Sequence, residues 1–341
     1  MLHALRRDRA IAIAIPAMNE EAWLPACLAA LDRAAARVAA PVTLYVFANG
    51  CTDGTVALLE RTRLRHARLR WAAASLRPGA RHAGWARRLA LDAAADLLQA
   101  PGDVLASTDA DTIVAEDWLL RTLAHFEAGC DAVAGRAFTR RAERAALGAQ
   151  AAHRLTMLGR YGTALDWLRA DRAPDPRDPW PRHFYEGGAS MALHLAMYRR
   201  IGGAPTPPVA EDRALFAAVR RQGGRIRHPL DVRVFTSSRP VGRARHGMAD
   251  TVARWISQPA YAPLHETYGF PLALEPDRAR PGDRLSFRTL PAAIAAAGAM
   301  IRARRSATAP QVEPIPLPPL LAEHGDARPE PAVEGGDCLV A

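Results

Sequence analysis

The chain has 341 residues, 49% hydrophobic and 23% charged, a balance that suits a globular protein with a sizeable core and excludes a fibrous or wholly disordered one. Its basic residues are all arginine, 45 against 35 acids for a net charge of +10, but aromatics are only 6% of residues and do not interleave with them, which sets nucleic acid aside as a partner. No apolar run reaches about 18 residues, so no transmembrane helix is expected.

The N-terminal stretch Met1 to Arg9 is charged and leads into a strand rather than a signal-peptide core; the expected location is cytoplasmic. Ile11 to Ile15 reads as that short strand, stopped by Pro16. Residues 20–38 read as a helix with Trp23, Leu24, Cys27, Leu28 and Leu31 on one face. Val42 to Phe47 is a second strand, and Asn49-Gly50-Cys51-Thr52-Asp53-Gly54 is turn chemistry leading into a helix from Thr55. A strand at 69–73, a long helix within 79–99, a buried strand at 104–106, a helix at 115–127 and a strand at 131–135 follow. This alternation predicts an α/β fold with a mostly parallel central sheet covered by helices. Ligands of such sheets bind beyond the carboxyl ends of the strands, where Asn19, Asn49 and Asp109 fall.

Residues 140–170 read as helical, 171–183 as a Pro- and Asp-rich loop, 187–193 as a strand, 195–201 as a short helix and 211–221 as another. Residues 250–305 read as helical with Pro breaks, and 306–341 as a Pro-rich disordered tail. The expected organisation is a main α/β domain over 1–245, in halves of about 10–135 and 136–245, then a helical extension at 246–305 and the tail. Arg302, Arg304 and Arg305 at an amphipathic end allow weak peripheral contact with anionic lipid headgroups. Four scattered cysteines form no C-x-x-C pair, so neither a zinc site nor a disulfide framework is indicated.

Asp109-Ala110-Asp111 carries the chemistry. Two carboxylates one residue apart at the end of a buried strand repel each other, and burial raises the cost of ionising both. A divalent cation, Mg²⁺ or Mn²⁺, removes both problems, because it prefers hard oxygens and bridges carboxylates to a diphosphate.

Five motifs stand in order: Pro16-Ala17-Met18-Asn19-Glu20-Glu21, Asn49 to Thr55, Asp109-Ala110-Asp111, Gly187-Gly188-Ala189-Ser190, and Ile201-Gly202-Gly203 followed by Glu211-Asp212. Over residues 10–245 the chain resembles the family-2 inverting glycosyltransferases of the GT-A fold. The resemblance implies a nucleoside-diphosphate sugar as donor and a hydroxyl acceptor, whether saccharide, lipid or small molecule. It places Pro16, Ala17, Met18 and Glu20 against the nucleoside, with Glu20 on the ribose hydroxyls, while Glu21 reads as a helix N-terminal acid. Asn49 stands where relatives carry an acid that reads the base, and Asp53 reads as a helix cap. Asp111 would coordinate the cation and Asp109 the metal or ribose, with Ala110 between them. Asp212 would be the base that takes the acceptor proton, and Glu211 its neighbour or merely a helix-start acid. Gly187 and Gly188 would let the backbone approach the donor sugar. Arg81, with Arg87 and Arg88 near Gly84, suits the diphosphate, as do Arg239 and Arg243. The histidine that relatives carry near Thr236 is missing, although His246 follows.

A sugar nucleotidyltransferase would need a glycine-rich, basic loop after the first strand, and a Rossmann enzyme a G-x-G-x-x-G there; Pro16-Ala17-Met18-Asn19-Glu20 is neither. A catalytically silent nucleotide-binding or scaffold relative stays open.

Overall fold

The computed structural model describes residues 9–239, 242, 247–264 and 285–308. The strands are β1 (Ile11–Ala17), β2 (Val42–Asn49), β3 (Arg68–Ala74), β4 (Val104–Ser107), β5 (Ile113–Val114), β6 (Ala132–Ala134), β7 (Arg136–Thr139), β8 (Met191–His194), β9 (Ile226–Arg227) and β10 (Arg233–Thr236). The helices are α1 (Leu24–Ala35), α2 (Thr55–Arg61), α3 (Ala83–Ala95), α4 (Trp118–Glu127), α5 (Arg141–Ala146), α6 (Ala149–Arg172), α7 (Leu195–Arg200), α8 (Glu211–Arg221), α9 (Met248–Ser257) and α10 (Leu290–Thr308).

Among the described residues, seven strands form the main sheet in the order β3-β2-β1-β4-β8-β6-β9. β3, β2, β1 and β4 run parallel, and β8 is antiparallel to both β4 and β6. A small second sheet, β5-β10-β7, lies beside it. The alternation within β1 explains the layering. Ile11, Ile13 and Ile15 pack with Leu24, Leu28, Leu31, Trp118 and Leu123 of α1 and α4. Ala12 and Ala14 face the other way, where their small side chains let α3 approach through Ala90, Leu91 and Ala94. Burial on both faces is what the central strands of a parallel sheet require. A third cluster joins α6 and α9 through Leu155, Leu158, Val252 and Trp255. Residues 1–301 form one unit; of the second, 302–341, the end of α10 is described.

Two boundaries and one side-chain partner differ from the sequence reading. α1 starts at Leu24, not at residue 20, because Pro25 fits the first helical turn while Glu20 N is taken by Thr55 Oγ1 at 2.9 Å. β8 starts at Met191, so Gly187 and Gly188 lie in the turn before the strand. Glu21 caps a different helix from the one expected: its Oε2 accepts from Gly54 N at 2.6 Å, at the start of α2. Asp53 Oδ1 accepts from Thr55 N and Oγ1 there. Arg243, His246 and the tail from 309 lie outside the described residues.

α3 enters the sheet layer tightly. A Cβ added to Gly84 would lie 2.3 Å from the Pro207 carbonyl oxygen, and a backbone atom cannot swing aside. Gly84→Ala is therefore expected to cost about 1–3 kcal/mol, read as a lower midpoint in thermal unfolding.

Candidate active site

The carboxyl ends of β1, β2 and β4 open on a cleft of about 1950 Å³. Pro16, Ala17, Met18 and Glu20 line it from the loop after β1, and Asn49 from the end of β2. Asp109, Ala110 and Asp111 follow β4, Gly188 precedes β8, and Glu211 and Asp212 open α8. Gly187 is not part of the lining: Tyr185 stands against it, with its hydroxyl 2.3 Å from where a Cβ would be.

One side chain knits three of these loops together. Arg87 projects from α3 and is only 6% exposed. Its Nη2 donates to Asp109 Oδ1 at 2.7 Å, its Nε to Glu211 Oε1 at 3.1 Å, and its Nη1 to Ser107 Oγ and the Gly188 carbonyl. Its positive charge is reinforced by Asp109 and Glu211 against the opposing pull of burial. The Gly188 amide in turn donates to Asp212 Oδ2 at 3.0 Å. The loop after β4 and the acidic pair of α8 are therefore joined through one guanidinium and one glycine peptide.

A second arginine closes the opposite corner. Arg239 grips Glu20 with both Nη atoms at 2.9 and 2.6 Å, and its Nη2 lies 3.1 Å from Asp111 Oδ2. Glu20, assigned to ribose from sequence, is here held by an arginine assigned to phosphate. Arg140, which sequence reasoning passed over, donates to the Asp111 carbonyl at 3.1 Å and stacks over the Trp23 ring. Arg81 stays exposed on the cleft rim, its Nε on the Leu76 carbonyl. Arg88 turns away to Asp92 and the Ala204 carbonyl. Asn49 accepts from Leu76 N, so its carbonyl faces the backbone that follows β3.

The carboxylates are crowded enough to feel one another. Burial, then the neighbouring Asp109, pushes Asp111 up to about 6, against the pull of Arg239. Burial and the adjacent Glu211 charge push Asp212 up to about 6 as well, with the Arg213 and Gly188 amides and Arg87 resisting. Asp212 follows a left-handed residue, Ala210 (φ 61°), a conformation that disfavours a Cβ by about 1–2 kcal/mol and that turns the chain into α8.

Asp109 and Asp111 offer hard oxygen donors whose mutual repulsion a divalent ion would relieve, so the pair fits Mn²⁺ or Mg²⁺. Among the described residues no group of three or more His, Cys, Asp or Glu is placed to hold a metal. An ion here would complete its shell with water and substrate oxygens.

The model of glycosyl transferase family 2 matches residues 12–193, over half of the chain. The chain belongs to that family. This family-2 glycosyltransferase has the GT-A arrangement of a mostly parallel sheet between helical layers. Among solved structures it is similar to S. aureus TarS (13% identity, 72% of this chain and 42% of that chain, TM-score 0.45). It is also similar to glucosyl-3-phosphoglycerate synthase from Mycobacterium tuberculosis in complex with Mn²⁺, UDP and phosphoglyceric acid (18%, 74% and 79%, 0.44). A third is the mannosyltransferase PcManGT from Pyrobaculum calidifontis in complex with GDP-Man and Mn²⁺ (18%, 89% and 76%, 0.47). These likenesses concern the fold alone. A comparison with curated proteins finds no match. No described helix is long and apolar enough to cross a membrane.

Proposed function

We propose that this family-2 glycosyltransferase moves a sugar, with inversion, from a nucleoside-diphosphate sugar to a hydroxyl acceptor, assisted by Mn²⁺ or Mg²⁺. The supporting observation is the Arg87 bridge, which ties the Asp109 loop to Glu211 while the Gly188 amide holds Asp212 beside them. Asp212 takes the proton of the acceptor hydroxyl as that oxygen forms its bond to the anomeric carbon. The bond from that carbon to the diphosphate breaks on the opposite face, and the nucleoside diphosphate leaves with the electron pair. Asp109 and Asp111 would hold the cation, which when bound supplies Lewis-acid stabilisation of the leaving diphosphate. Arg81 adds positive charge at the rim, and Gly188 lets the sugar approach the backbone. Residues 10–135 serve the donor and 136–245 the acceptor in this reading. A cytoplasmic location belongs to it too.

Asp212 works as a base only when ionised. With its pKa near 6, kcat/KM is expected to fall about tenfold per pH unit below that value and to level off above it. A pH–rate profile of transfer checks this. The function itself is tested by thermal shift with a panel of nucleoside diphosphates, with and without Mn²⁺: one base should stabilise the protein, and more strongly with the ion. No stabilisation by any nucleotide would overturn the reading.

One observation favours a silent nucleotide-binding relative instead: Arg239 engages both Glu20 and Asp111. A donor-hydrolysis assay separates the two, because a silent protein releases no nucleoside diphosphate whether or not Mn²⁺ is present.

A further inference from the structure

The charges lining the cleft are unevenly divided. Around the donor corner, Arg81, Arg87 and Arg239 face four acids, Glu20, Asp109, Asp111 and Glu211. Arg213 and Asp212 line the same cleft. The wall built from β7, α5, α6 and α9 brings five arginines, Arg136, Arg144, Arg160, Arg169 and Arg254, against one acid, Asp166, among the described lining residues. Asp166 faces Arg136, with 3.7 Å between Oδ2 and Nη2, and burial pushes its carboxyl up to about 6 despite Arg136 and Arg169. Arg169 shares the charge of Asp166 with Arg136, which leaves Arg144, Arg160 and Arg254 in excess on this wall. Arg144 donates to Thr139 Oγ1, Arg169 lies over the Phe184 ring, and Arg160 and Arg254 are exposed.

Such an excess is costly without a counter-charge, since like charges in one concavity raise each other's energy. Arginines from three separate elements lining one cavity suit a phosphate-class anion. The same wall is apolar at its base, where Leu155, Leu158, Val252 and Trp255 line the cleft.

Resting on the transferase reading of this cleft, we infer that the acceptor carries a phosphate or comparable anionic group, seated among Arg144, Arg160 and Arg254. Its hydroxyl is then presented to Asp212. A water-soluble phosphate ester and a phosphate-bearing amphiphile share this chemistry; the amphiphile would also use the apolar base.

The test keeps the donor corner occupied. The full chain is saturated with the stabilising nucleoside diphosphate and Mn²⁺. Glycerol phosphate, a short-chain phosphatidic acid and the uncharged diacylglycerol of the same chain length are then titrated in by calorimetry. At least one phosphate-bearing probe should bind about tenfold or more tightly than the uncharged one, and less tightly as salt is raised. The double variant R160Q/R254Q should weaken that binding about tenfold or more. Both side chains are exposed, so folding is expected to survive; R144Q is the second probe should the double variant unfold. Binding of glycerol phosphate supports a soluble acceptor, and binding of phosphatidic acid alone supports an amphiphile. Equal binding of the uncharged lipid, or phosphate binding indifferent to the arginine substitutions, overturns the inference. Failure of the nucleotide itself to bind overturns the transferase reading, whereas a bound nucleotide with no phosphate preference overturns only the anionic acceptor.

Discussion

Arg87→Met is expected to lower folding stability by about 3–5 kcal/mol and to abolish transfer. The guanidinium is buried and satisfies two carboxylates, a hydroxyl and a carbonyl at once. Removing it strands the largely buried Glu211 and takes the counter-charge from the partly exposed Asp109, and breaking a buried ion pair is strongly destabilising. Methionine fills the volume but supplies no donors, and the Gly188 carbonyl loses its partner as well. Arg87→Lys should recover only part of the loss, because a single ammonium cannot reach groups spread over three directions of a planar fork. The double variant R87M/E211Q should be more stable than R87M, since neutralising one orphaned carboxylate removes part of the penalty. Chemical denaturation of the four proteins checks the order. A double variant no more stable than the single one would show that the loss comes from packing rather than from stranded charge.

The sequence marked the site's acids by position and offered Arg87 and Arg239 only as diphosphate candidates, without the carboxylates they hold here. Asp109, Asp111, Glu211 and Asp212 sit where a strand ends or a helix begins, so the break in hydrophobic pattern marks them. Arg87 lies within α3, one of three arginines between residues 81 and 88, and nothing in a helical pattern tells a buried guanidinium from a solvated one. Its burial follows from the tertiary approach of Gly188, where an added Cβ would lie 2.2 Å from Arg87 Nη2. The strand–helix alternation was legible because β1, β2 and β4 are predominantly apolar. The limits of α1 and β8 were not, because Glu20 and Gly188 serve side chains 35 and 24 residues away rather than their own elements. The arginines of α6 suffered most: a helix carrying Arg154, Arg160, Arg169 and Arg172 reads as a solvated face until its neighbours show which side lines a cleft.

Asp212→Asn is expected to leave the protein folded and able to bind nucleoside diphosphate, while lowering kcat for transfer by about 10²–10⁴. Asp212 receives two backbone amides, Gly188 N on Oδ2 and Arg213 N on Oδ1. Asparagine keeps one acceptor and turns an NH₂ toward the other amide, a loss of about 1 kcal/mol in stability, too small to unfold the domain. What disappears is the carboxylate proposed to accept the proton. The comparison with Glu211→Gln separates chemistry from placement. Glu211 is the charge that, after burial, does most to raise Asp212, and it also anchors Arg87. Neutralising it favours the ionised form of Asp212, so the acid limb of the kcat/KM profile should move to lower pH while a measurable rate persists. Asp212→Asn should instead leave a flat residual rate with no limb near pH 6. Unchanged turnover in Asp212→Asn, or a limb in Glu211→Gln that stays in place or moves upward, would remove Asp212 from the role of base.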